Sequence, residues 1–483
     1  MNNPTLNRFL VLALLLIVST SVFGQAKNVL FIAIDDLKPI GGLYDMPAIK
    51  TPHMDQLAAT GFVFKNNHCQ EAVCAPTRVS LLTGRRPDYT RVWDLKTMFR
   101  DIHPDIVTMP QYFKQKGYQT AAVGKVFDAR SVDKGHDAVS WSIPYQETTG
   151  SNVKGGGYML ETRRVSTECA DVPDSTTMDG RVLQKGKALM DEMAAQEEPF
   201  FLAVGFYKPH LPFAAPKKYW DLYQREDIQL PAYQKKPAGA PAYASQPGWE
   251  VRSQYDDVPK DFSTPIAIEK QKELIHGYYA CVSFIDKQIG DLVAYLDEKG
   301  LRENTLIVLW GDHGWHLGDH DMWCKHTNYE QATRSPLVIS LGNQYIGTSN
   351  SPSEFVDVFP TVCQAVGVDV PNDLEGVSLM PVLTNQQKEI KEFAVSQFHR
   401  RGTLNGYAFR DERYRYVVWL KEKYRSDQPF SMNLIEDEEL YDYQNDADET
   451  MNVINKEQNK ALGEQWRKRV ADFLNSRYQT YNH

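Results

Sequence analysis

Four runs of almost unbroken apolar residues, each ending in a polar cluster, constrain this chain more than anything else in it. Asn28–Ile34 leads into Asp35-Asp36, Thr120–Val123 into Gly124-Lys125, Phe200–Phe206 into Tyr207-Lys208-Pro209-His210, and Thr305–Trp310 into Gly311-Asp312-His313-Gly314. Runs of this length and β-branched content read as strands buried on both faces, as in a parallel sheet. Helical spacing fills the intervals. The clearest case is Ile275, Tyr278, Val282, Ile285, Ile289, Leu292 and Leu296, closed by Lys299-Gly300. Strands alternating with helices predict an α/β fold, a mostly parallel sheet between helical layers. Ligands of open α/β sheets gather at the carboxyl ends of strands, so all four polar clusters are expected on one edge. Asp35-Asp36 at the end of a buried strand must be solvated, paired or metal-bound. Alone, the pair would read equally well as a polar turn capping a helix.

Cys74-Ala75-Pro76-Thr77-Arg78 opens a short apolar stretch, Val79–Leu82, that stops at Gly84. Proline suits the first turn of a helix, which puts Cys74 at the positive end, where N–H groups favour an anion. Arg78 adds a guanidinium there. The plain alternative is a buried thiol acting as a small hydrophobe. Asp35, Asp36 and Asp312 are hard oxygen donors that suit calcium or magnesium better than zinc, and His313 either completes such a shell or hydrogen-bonds it. Zinc stays open because GDHGWHLGDHDMW carries His313, His316 and His320. Lys125, Lys208, His210 and Lys325 join Arg78 as cations. A metal and several cations around a nucleophile suit transfer of a tetrahedral oxyanion.

The 483 residues carry a net charge of −9 without long basic or acidic runs. No nucleic-acid partner is expected, and an anionic ligand needs a local cationic pocket. Arg8 precedes FLVLALLLIVSTSVF and small residues near Gly24, which reads as a secretory signal over 1–24. The run is shorter than the roughly 20 apolar residues of a membrane span. The expectation is export, periplasmic or secreted, with no membrane anchor in the mature chain. Six scattered cysteines form no CxxC pair and support no disulfide assignment. Two irregular stretches, Gln146–Gly180 and Pro231–Glu250, are candidate substrate walls. Lys154 before three glycines lacks the rest of a phosphate loop. The catalytic domain is expected over 25–380, followed by a smaller α+β subdomain over 381–483 with an antiparallel sheet. There Arg410–Trp419 alternates like an exposed strand, Glu439–Asp442 opens a polar turn, and Trp466–Phe473 reads as a closing helix.

Cys74–Arg78 with Leu82-Thr83-Gly84-Arg85 resembles the signature of the formylglycine-dependent sulfatases. NVLFIAIDD, GKVF, FYKPHLPF, GDHGWHLGDH and ELYD fall in that family's order, across essentially the whole mature chain. GFYKPHLPF, YYACVSFID, DHGWHLGDHDMWCKH and RDERYRYVVW are most similar to the iduronate 2-sulfatase branch. The resemblance implies an alkaline-phosphatase-like fold and a Cys74 oxidised to formylglycine by a maturation enzyme, its hydrate attacking sulfur. It implies one Ca2+ (Mg2+ as the alternative) on Asp35, Asp36, Asp312, His313 and modified residue 74. Arg78 and Lys125 would hold the nucleophile, and His210 and Lys325 would grip the sulfate, His210 as general acid. One position departs. The family commonly has a histidine just after the GK motif, where this chain reads Gly124-Lys125-Val126-Phe127-Asp128. Asp128 could act as base, His136 could reach in, or Asp128 could pair with Lys125 or Arg130. The implied activity is hydrolysis of sulfate esters on a carbohydrate, glycosaminoglycan-like or algal such as ulvan. Alternatives are a phosphoesterase or phosphonate hydrolase with the same nucleophile, and a sulfated-glycan-binding protein whose Cys74 stays a thiol.

Overall fold

The computed structural model describes residues 28–148, 164–400, 402–422 and 428–481. The signal segment and Lys154 lie outside them. In chain order the main elements are β1 (Asn28–Ile34), β2 (Phe62–Phe64), α1 (Cys74–Thr83), β3 (Gln119–Gly124), α2 (Met178–Ala194), β4 (Phe200–Phe206), α3 (Trp249–Gln254), α4 (Ile268–Glu298), β5 (Thr305–Gly311), β6 (Leu337–Ser340), β7 (Gly347–Ser349) and α5 (Val358–Ala365). A C-terminal group follows, with β8 (Ala394–Arg400), β9 (Leu404–Arg410), β10 (Tyr414–Leu420), β11 (Ile435–Asp442) and α6 (Lys460–Tyr481).

The large sheet has the order β7-β2-β6-β5-β1-β4-β3, and all four apolar runs lie in it as parallel neighbours. Only β6 runs against its neighbours β5 and β2. β1 sits centrally and is buried along its whole length, which is why it reads as a continuous apolar run. Leu30, Ile32 and Ile34 pack on the face covered by α2 and α4, beside Val182, Met190 and Ile285. Val29, Phe31 and Ala33 pack on the opposite face with Val79, Leu82, Phe359 and Val362 of α1 and α5. Each face thus has its own apolar core, as expected of a sheet sandwiched by helices.

The C-terminal group forms a four-stranded antiparallel sheet in the order β8-β9-β10-β11. Two readings change here. Arg410–Trp419 is not one exposed strand but the end of β9, a turn at 411–413 and most of β10, which is buried. Tyr416 and Val418 pack under α6 with Trp466 and Val470, while Val417 and Trp419 pack against Met322 and Tyr329, which precede the C-terminal group. Alternation survives because both faces are covered by different layers. Glu439–Asp442 ends β11 rather than opening a turn. Within Gln146–Gly180 the described residues include a strand, Thr167–Ala170, and the start of α2 at Met178. None of the described helices is long and apolar enough to cross a membrane.

Candidate active site

The parallel register carries the polar clusters out of the sheet at one level. Ile34 is level with Phe206 on one side and Gly311 on the other. The ladder continues one step further, with Asp35 N donating to Phe206 O at 3.1 Å and Asp312 N donating to Ile34 O at 3.1 Å. Asp36 then takes the left-handed conformation (φ +60°), which a short polar side chain tolerates better than most. Its N–H donates to Asp312 Oδ1 at 2.8 Å, and the Tyr278 hydroxyl of α4 donates to its carbonyl at 2.7 Å. Three buried carboxylates therefore meet where β1 and β5 end.

Cys74 is the first residue of α1, so the helix begins at the cysteine rather than after it. Thr77 Oγ1 donates to Asp312 O at 2.9 Å, and Arg78 spans two acids, with Nε 3.1 Å from Asp312 Oδ2 and Nη2 3.0 Å from Asp35 Oδ1. These bonds press the helix start against the carboxylates. Cys74 Sγ lies 3.6 Å from His313 Nε2, 3.7 Å from Lys325 Nζ and 4.0 Å from Asp36 Oδ1. One ligand atom each from Asp36, Cys74, Asp312 and His313 falls within 4.8 Å of the others, and an overlapping group joins Asp35, Asp36, Cys74 and His210. Carboxylates with one imidazole suit a hard divalent cation, whose charge would offset the burial of three facing acids. The three imidazoles of the zinc alternative do not share a site. His316 bonds Asp319 and Thr327, and His320 Nε2 bonds Asp448 O at 2.6 Å, apart from His313.

Lys125 owes its place to two glycines. A side chain on Gly124 (φ +74°) would meet Gly205 O at 2.0 Å, and one on Gly205 would meet the Lys125 backbone at 2.3 Å. The close crossing lets Lys125 N bond Gly205 O at 2.8 Å and points its ammonium at Asp35 Oδ2, 2.6 Å away. Lys325 Nζ reaches Asp36 at 2.8 and 3.0 Å. Burial pushes the Asp35 carboxyl up, but Lys125, His210 and Arg78 outweigh it and hold it well below the usual carboxylate range. His210 Nδ1 faces Leu211 O at 2.6 Å, while Nε2 faces Glu250 Oε1 at 3.3 Å and Asp36 Oδ2 at 3.8 Å. Burial lowers this imidazole, yet Asp36, Asp35 and Glu250 leave it raised above its ordinary value. Lys208 is different. Its ammonium donates to the carbonyls of His210 and Pro212, at 2.9 and 2.6 Å, and ties the loop rather than facing the acids.

Asp128 takes the pairing reading. Arg130 grips both of its oxygens, at 2.8 and 2.7 Å, and Lys125 Nζ lies 3.8 Å away. Burial raises the Asp128 carboxyl, but Arg130 and Lys125 win and hold it far below the carboxylate range, where it is a poor proton acceptor. His136 lines the same cavity, its ring stacked 3.7 Å from Tyr145. Two site residues escaped the sequence reading. Glu250 contacts His210 and, at 3.3 Å, Lys325, and Trp249 stands beside it on the cavity wall. The only sequence signal was their place at the end of the irregular stretch Pro231–Glu250.

The cavity measures about 380 Å³ and is lined by Asp35, Cys74, Lys125, His210 and Lys325 among others. The sulfatase family profile matches residues 27–368, and that of the N-sulphoglucosamine sulphohydrolase C-terminal region matches residues 318–476. The chain belongs to the sulfatase family. Iduronate 2-sulfatase of Homo sapiens is 32% identical over 472 residues, covering 82% of this chain and 85% of that protein. A sulfatase of Formosa agariphila is 31% identical over 457 residues, covering 89% of this chain and 83% of its own. A structure solved with its substrate D-glucosamine-2-N,6-O-disulfate superposes with a TM-score of 0.74 at 20% identity, covering 94% of this chain and 99% of that one. The fold is therefore the alkaline-phosphatase-like fold of sulfatases, and this sulfatase is a sulfuric ester hydrolase.

Proposed function

We propose that this sulfatase releases sulfate from the end of a sulfated saccharide, using residue 74 as formylglycine and one calcium ion. The clustering of Asp36, Asp312, His313 and Cys74, with Asp35 in an overlapping group through Asp36 and Cys74, beside Arg78, Lys125, His210 and Lys325, is the observation that carries this reading. As a thiol, Cys74 is a weak nucleophile here. Burial, with Asp35 beside it, pushes it well above the ordinary thiol value. Formylglycine would supply a hydrate oxygen as nucleophile, and calcium on the four protein ligands and residue 74 would supply charge against the sulfate oxygens.

The chain's own groups do the rest. Arg78 and Lys125 fix Asp35 and place positive charge beside residue 74. Lys325, 3.7 Å from Cys74 Sγ, stands where a sulfate oxygen would gain charge. His210 has an acceptor at each ring nitrogen, which favours the imidazolium and suits it to protonate the departing ester oxygen. Asp128 keeps Lys125 and Arg130 in place as a permanent anion. The similarity to iduronate 2-sulfatase supports a sulfated uronate, or the sugar next to one, as substrate. An algal or glycosaminoglycan-like source fits equally. Export to the periplasm or beyond, encounter with a formylglycine-generating enzyme and a domain boundary near residue 380 complete the proposal. Parallel assays on sulfate and phosphate esters of the same alcohol test it. Sulfate release should dominate, and a preference for phosphate by orders of magnitude would replace it with a phosphoesterase.

A further inference from the structure

Trp249 is 56% exposed, while its neighbours Glu250, Val251 and Arg252 are buried. The exposure is not looseness. Gln246 donates to Lys325 O at 2.7 Å and accepts from Gly248 N at 2.6 Å and Trp249 N at 3.2 Å. Arg252 donates to the carbonyls of Pro247, Pro259, Asp261 and Thr264 at 2.8 to 3.1 Å. Val251 N bonds Cys324 Sγ at 3.4 Å. The short helix is thus bolted to the segment that carries Lys325. A large indole is held out at the wall of the catalytic cavity, one residue from a carboxylate in contact with His210 and Lys325.

We infer that Trp249 is a stacking platform for the pyranose ring that carries the sulfate ester, an inference that rests on the sulfatase reading. A flat indole kept in water by a rigid frame gains by covering an apolar face, and the C–H face of a sugar ring is such a surface. The occupant is placed by continuity. An ester oxygen is bonded directly to its sugar, so a sulfate gripped by His210 and Lys325 sets the ring against the adjoining wall. Pockets of this kind bind through an aromatic wall and a few fixed polar groups. Trp249 supplies the first, and Glu250 anchors the second.

The test compares wild type with Trp249→Ala and Trp249→Phe on a disaccharide ending in a 2-O-sulfated uronate. Binding is measured by calorimetry on the Cys74→Ala background, and turnover on formylglycine-bearing protein. Trp249→Ala should weaken binding and raise KM roughly ten-fold with kcat nearly unchanged, and Trp249→Phe should recover most of that loss. The indole is exposed, so neither change should move the unfolding midpoint. Equal binding by Cys74→Ala with and without Trp249→Ala overturns the inference, as does absence of saccharide binding to Cys74→Ala when the formylglycine-bearing enzyme hydrolyses 4-nitrophenyl sulfate. If formylglycine-bearing protein releases sulfate from no ester, the sulfatase mechanism fails instead, and the calorimetry still decides whether Trp249 holds a sugar.

Discussion

Two buried charge clusters lie at opposite ends of the same ten-residue helix, α1. At its start, Asp35, Asp36 and Asp312 meet Arg78, Lys125 and Lys325 around Cys74. Just past its end, Arg86 grips Glu354 with two bonds of 2.6 Å, and Lys391 reaches Glu354 at 2.7 Å and Asp357 at 2.6 Å. Both clusters are largely buried and ion-paired. The second cluster is closed: Val395 N of β8 also donates to Glu354 Oε1 at 2.8 Å, Val377 N donates to Asp357 Oδ1 at 2.9 Å, and Glu354 N donates to Asp357 Oδ2 at 2.9 Å, which ties the C-terminal sheet to the large-sheet half. In the first, carboxylate, imidazole and sulfur atoms converge on a common point beside a cavity. Pairing therefore does not separate a working site from a structural one.

Removing the centre of each cluster should produce opposite phenotypes, and these are the largest effects expected. Cys74→Ala should cut sulfate release by about 10⁴-fold or more while leaving the urea midpoint near wild type. Glu354→Ala should cost about 3–5 kcal/mol of stability, because it takes the chelating carboxylate from the buried Arg86 guanidinium and leaves Lys391 only Asp357, while the protein that remains folded keeps its kcat. Denaturant melts and initial rates on both variants check the pair.

Metal should separate the clusters next. Chelation should abolish turnover and lower the melting temperature, and added calcium should restore both, since an ion bound only by the folded state adds about 3–4 kcal/mol at 100 to 1,000 times its Kd. Asp312→Asn should flatten this response, and Glu354→Gln should leave it intact. Differential scanning calorimetry with and without calcium reads it.

Acid should weaken the closed cluster in a defined direction. Burial raises the Glu354 carboxyl, but Arg86 and Lys391 outweigh it and hold it far below the ordinary glutamate value. A depressed pKa gives stability that is present above the unfolded-state value and lost as pH falls through the folded-state value. The stability gap between wild type and Glu354→Gln should thus be constant near neutrality and shrink on acidification below about pH 4. Urea titrations at stepped pH measure it.

Asp128→Asn is the smallest expected effect. If the carboxylate only pairs with Arg130 and Lys125, kcat should fall less than about ten-fold and the pH–rate profile should keep its shape. A loss of about 10²-fold or more with a missing limb would make Asp128 the base.

The strands and the Cys74 helix were legible because their signals are local: apolar runs, a proline in the first turn and a glycine stop at Gly84. The grouping of Asp35, Lys125, His210 and Asp312 followed from parallel pairing alone. The state of Asp128 was not legible, because Lys125 and Arg130 were both close in sequence and only Arg130 proved to chelate it. Trp249 and Glu250 sit in a stretch without periodicity, and their place depends on Gln246 and Arg252 reaching distant carbonyls. Arg410–Trp419 read as one exposed strand because alternation cannot reveal that both faces of β10 are covered by other layers.

The central claim is that residue 74 acts as formylglycine at the open cluster. Peptide mass spectrometry across residues 71–85 of enzyme that is releasing sulfate from a saccharide tests it most directly. An aldehyde or its hydrate at residue 74 is the expected result. An unmodified Cys74 thiol in fully active enzyme would contradict the account.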